Sequence, residues 1–173
     1  MTPRELEEYK ALRATIAGRS TARVWIFAAG LTAWAALTVA TAAVWPVPLA
    51  TVVPLVALGS VFEAVFALHI GVERIGRYVQ VFHETSDERA RWEAVAMRFG
   101  RPTAGTAVDP LFAAWFALAA IANFIPVMLA GPTVGEVAAV GGVHLAFLLR
   151  LMVARRGAAR QRDADLHRFE TMT

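Results

Sequence analysis

Residues 24–45 read VWIFAAGLTAWAALTVATAAVW, without one charged side chain, and Arg23 stands directly before them. A helix of that length rises about 33 Å at ~1.5 Å per residue, enough to cross the ~30 Å hydrocarbon core of a bilayer. Trp25 and Trp45 fall near its two ends. Indole rings anchor at headgroup level, so both ends read as membrane interfaces. A cleaved signal peptide is the rival reading, because Ala40-Thr41-Ala42 mimics a small-residue cleavage site. The run is too long for that, and the segment before it is long and carries Glu5, Glu7 and Glu8.

Three more apolar runs follow, and short breaker segments set their order. Pro46-Val47-Pro48 makes an uncharged turn into a second crossing at 47–72, which Glu73, Arg74 and Arg77 close. Pro54 is expected about two turns inside that helix, where it removes one backbone donor and bends the axis. Asp109-Pro110 has the form of a helix start for a third run, 110–130, and Gly131-Pro132-Thr133 separates it from a fourth, 134–153. Between the hairpins lies a cytoplasmic segment, 73–109. Thr85-Ser86-Asp87-Glu88 begins a helix there at about 86–99, with Trp92, Val95, Ala96 and Phe99 on one face and Trp92 as an interface anchor. Residues 2–20 form an amphipathic helix, with Thr2-Pro3-Arg4-Glu5 as capping box and Leu6, Tyr9, Leu12 and Ile16 at helical spacing. Residues 154–173 form a charged cytoplasmic tail, a helical extension of the fourth run.

All seventeen basic residues fall in three blocks at the edges of these runs: Arg4 to Arg23, Arg74 to Arg101, and Arg150 to Arg168. By the positive-inside rule the three blocks face the cytoplasm, so both termini are inside and both short turns outside. The reading is an all-α integral membrane protein in the cell inner membrane. It is a four-helix bundle of two antiparallel transmembrane hairpins with amphipathic cytoplasmic helical segments, one domain over residues 1–173. A 57% hydrophobic content, 18% charge and mean hydropathy of +0.51 are too apolar for a soluble domain of this size. The net charge is only +3 and each arginine cluster abuts an apolar run. That favours anionic lipid headgroups over nucleic acid as the partner. With no cysteine, disulfides, thiolate metal sites and cysteine nucleophiles are excluded.

The few polar groups within the apolar runs are the candidates for specific chemistry. Glu63 stands near the middle of the second run and His144 near the middle of the fourth, with Asn123 in the third, Ser60 one turn before Glu63, and Thr32, Thr38 and Thr41 in the first. A carboxylate in hydrocarbon must be protonated, paired or wet. Because every basic residue is assigned to the cytoplasmic edge, no cation remains inside to pair Glu63, and His144 is its expected partner. His69 and Glu73 share a helical face at a spacing two metal ligands could use, without the further histidines a site needs. Glu136 reads as a charge at a helix start, and His83 and His167 as solvated residues. Gly30, Ala113, Ala117, Ala138, Gly141 and Gly142 offer small-residue surfaces for close helix contact.

No nucleophile elbow, P-loop, dinucleotide fingerprint or zinc signature occurs, so no catalytic, cofactor-binding or metal-binding residue is assigned. The expected function is that of a noncatalytic multi-pass membrane component. It would act as a subunit, as an assembly partner of itself or of another membrane protein, or as a homo-oligomer. The alternative is a small channel or carrier for protons, cations or a small solute, with a Glu63/His144 pair in its path. A lipid- or quinone-linked membrane enzyme is the third reading.

Overall fold

The computed structural model describes residues 2–84, 92, 93, 95 and 111–172, and every regular element among them is helical. In chain order the α-helices are α1 (Pro3–Val44), α2 (Val52–Phe82), α3 (Ala113–Asn123), α4 (Ile125–Leu129) and α5 (Val134–Glu170). A short 3-10 turn, Pro48–Thr51, leads into α2. α1, α2 with its leading turn, and α5 are each long and apolar enough to cross a membrane, whereas Ala113–Leu129 is a shorter apolar segment. The described residues are thus all-helical, with three long apolar helices, the composition of a membrane protein.

Helix ends follow local chemistry. The Thr2 backbone N–H donates to the Glu5 carboxylate at 2.6 Å and the Glu5 N–H to Thr2 Oγ1 at 3.3 Å, a reciprocal cap with Pro3 at the first helical position. Thr133 and Glu136 repeat the device at the start of α5, at 2.8 and 3.3 Å. Gly131, at φ 65°, lies in the left-handed region and separates α4 from α5.

Three boundaries differ from the sequence reading. α1 runs unbroken through residues 20–24, because no proline or glycine in Ser20-Thr21-Ala22-Arg23 divides the charged part from the apolar part. Likewise α2 continues past 72 to Phe82, whereas α5 runs on to Glu170 as the expected helical extension of the fourth run. The third run is not continuous. Pro126 has no N–H to offer the Ala122 carbonyl and its ring crowds that oxygen, so the helix breaks at Phe124. Asp109-Pro110 and most of the helix expected at 86–99 lie outside the described residues. Pro54 sits in the first turn of α2, because the preceding residues form the 3-10 turn. No interior bond is lost there.

The chain divides into two compact units. The first comprises residues 1–22, 67–110 and 156–173, and ion pairs among its elements tie it together. Arg77, only 3% exposed, lies 3.9 Å from Glu93 and 4.0 Å from Glu73; Arg13 also pairs with Glu93, and Arg162 reaches Glu73 at 2.9 Å. Arg74 meets Asp165 at 3.3 Å, and Tyr78 donates to Glu8 at 2.9 Å. His83, expected in solvent, is buried, with its ring 5.8 Å from those of Tyr9 and Tyr78. Aromatic packing draws it in.

The second unit comprises residues 23–66 and 111–155. Leu55, Leu58, Phe62 and Val65 point the inner face of α2 into its core. Phe62 packs edge-on to Phe116 at 5.3 Å and to Phe147 at 6.2 Å. α1 approaches α2 closely at Gly30, where a β-carbon would fall 2.4 Å from Val61 Cγ1. Only glycine fits there.

Candidate polar sites in the apolar unit

Two polar constellations lie within the second unit. The break at Phe124 leaves Asn123 as the last residue of α3, fully buried. Its Nδ2 donates to the Thr51 carbonyl at 2.9 Å and to His144 Nε2 at 3.1 Å. Its Oδ1 accepts from Trp34 Nε1 at 3.3 Å and faces the Thr38 hydroxyl at 3.2 Å. The orientation of the amide is determined by these partners. An indole N–H requires the oxygen on one side and a carbonyl requires the nitrogen on the other.

The same logic sets the tautomer of His144. Its Nε2 accepts from Asn123, so the proton resides on Nδ1, which donates to the Val140 carbonyl at 2.8 Å. Phe124 covers the ring edge-on at 5.1 Å. One side chain, Asn123, therefore joins α1, the entry to α2, α3 and α5. The two N–H groups and the oxygen of the amide are all engaged.

Glu63 does not join this cluster. The expectation that it pairs with His144 is corrected by the structure: Arg150 Nη2 donates to the Glu63 carboxylate at 2.8 Å. Arg150 also sits over the Phe66 ring, 5.0 Å from its centroid. Counting Arg150 with the terminal basic block overlooked that it lies sixteen residues beyond Val134, the first residue of α5. Its long side chain reaches α2 from there. The pair is open, with side chains 49% exposed for Glu63 and 40% for Arg150. Ser60 is exposed and donates back to the Val56 carbonyl at 3.0 Å.

Among the remaining sequence candidates, Trp25, Trp45 and Trp92 are 70%, 65% and 62% exposed. In the first unit, Glu73 is committed to Arg162 and Arg77, and His69 is buried. No group of three His, Cys, Asp or Glu that could hold a metal ion occurs among the described residues. Sequence reasoning missed Trp34 and Arg150. Trp34 carries a signal: it stands mid-run, away from either interface, where an indole N–H needs an acceptor. Compared with protein-family models, curated proteins and solved structures, the chain matches none.

Proposed function

We propose that the chain is a noncatalytic multi-pass protein of the cell inner membrane, acting through helix packing as a subunit, assembly partner or homo-oligomeric component. In this reading the three long helices and the Ala113–Leu129 segment make four crossings in two antiparallel hairpins, a four-helix membrane bundle. Both termini are cytoplasmic, and the arginine blocks meet anionic headgroups.

The observation that carries the reading is the closure of the Asn123 cluster. A proton or solute path needs polar groups with capacity to spare, yet Asn123 and both ring nitrogens of His144 are engaged with protein partners. Such a knot fixes how helices pack in lipid, where an unpaired polar group is costly. Liposomes holding the purified chain and a pH-sensitive dye test it. Proton, potassium and sodium gradients should decay no faster than in empty liposomes. Faster decay that Asn123→Ala or His144→Ala abolishes would replace this reading with that of a carrier.

A further inference from the structure

Two outward faces of the second unit differ in what they offer a bilayer. On α3 and α4 the exposed side chains include Trp115, Leu118, Ile121, Ile125, Met128 and Leu129, all large and apolar. On α2 the exposed positions are Val53, Val56, Ser60 and Glu63, spaced 3, 4, 3. Both sets recur at the three- and four-residue spacing of one side of a helix, so it is the side chains, not the spacing, that tell the faces apart. Lipid chains suit the first face; a hydroxyl and a carboxylate half open beside Arg150 suit a protein surface.

We propose that a second copy of this chain docks on the α2 face, with Glu63 of each copy reaching Arg150 of the other across a two-fold axis. The inference rests on the membrane reading and names the partner and the surface it uses. A two-fold interface brings residue i against j and j against i, so it requires a patch complementary to itself. Adjacent opposite charges meet that requirement. An axis along the membrane normal also preserves depth. Glu63 lies about 24 Å from Pro48, through the 3-10 turn at ~2.0 Å per residue and α2 at ~1.5 Å, and Arg150 about 24 Å from Val134, so the charges are level. Ser60, small and one turn away, lets the two α2 helices approach closely. An anionic headgroup on Arg150 is the weaker occupant, because the Glu63 carboxylate 2.8 Å away repels it.

The chain has no cysteine, so one appended at the C-terminus carries a donor or acceptor dye for energy transfer between copies in phosphatidylcholine bilayers. Wild-type chains should show transfer that falls on dilution into lipid, and Glu63→Gln should weaken association about tenfold. Glu63→Arg chains alone, doubly positive at this face, and Arg150→Glu chains alone, doubly negative, should lose transfer; mixed, they should regain it. Ser60→Leu, which leaves the charges intact, should also weaken association. Absence of wild-type transfer at every lipid ratio overturns the proposal. So does a mixture that transfers no better than its separate components, or wild-type transfer that requires added anionic lipid. None of these outcomes depends on the gradient assay, so the packing reading and the two-fold pairing can fail independently.

Discussion

Asn123 and Glu63 are both strongly polar side chains set among apolar ones in the same unit, yet Asn123 is 0% exposed while the Glu63 side chain is 49% exposed. Asn123 is uncharged, lies where a proline ends its helix, and finds partners in three other chain segments. Glu63 is charged, lies on the outward face of an unbroken helix, and among the described residues pairs with Arg150. Closure of the first makes it part of the fold. Openness of the second leaves it able to contact another molecule, and the energetic consequences should separate accordingly.

The sharpest way to break the contrast is Asn123→Ala. It strands the Trp34 N–H, the Thr51 carbonyl and His144 Nε2, each engaged by the amide. Buried groups left without partners cost about 1–3 kcal/mol each, though relaxation recovers part of this, so a loss of about 2–4 kcal/mol is expected. Reversible unfolding by SDS titration in mixed micelles measures it. A loss below that of Trp34→Phe would deny Asn123 its central place.

Next in size is Gly30→Ala, because the new methyl meets Val61 Cγ1 at 2.4 Å. Overpacking of this kind costs about 1–3 kcal/mol. Val61→Ala in the same chain should restore most of the loss, which a general loss of helix quality at position 30 would not allow. The result sharpens the contrast by showing that the closed part of the unit tolerates no added volume. Substitutions at Ser60, on the open face, should leave the folding of the single chain nearly unchanged.

The membrane composition was legible because a charge-free run of bilayer length, such as residues 24–45, is apolar on every face and suits lipid better than water. The break at Phe124 was present in the sequence as Pro126, whose missing donor decides it. The pairing of polar groups was not legible. Depth along a helix can be counted, and it put Glu63 and His144 at one level, but direction around the helix decides contact. In a helix apolar on every side, periodicity marks no inner face. Phe62 and Val65 turn inward and Glu63, one position from Phe62, turns out. The Arg13–Glu93 pair spans eighty positions and leaves no local trace at all.

A smaller effect tests a contrast with the first unit, where Glu93, its side chain 13% exposed, lies partly buried among charges. Burial pushes its carboxyl above the usual range, against the pull of Arg13 and Arg77. For an acid whose folded pKa is raised, the stabilising contribution is present below the ordinary carboxylate pKa and is lost as pH rises through the raised value. Melting of the wild type should therefore gain on Glu93→Gln as pH is lowered from neutral into the carboxylate range. A difference that moves the other way would mean that pairing with the arginines outweighs burial.

The smallest change expected is that of Glu63→Gln on the folding of the single chain, under about 1 kcal/mol by the same SDS titration. The pair is half open, and glutamine keeps a carbonyl oxygen to accept from Arg150, so little of the fold depends on the charge. A small number here is the informative one. A loss as large as that of Asn123→Ala would make Glu63 part of the closed interior and would remove the reason to place a second copy against it. A negligible loss combined with weakened association leaves the charge with one physical role: it holds two chains, not one, together.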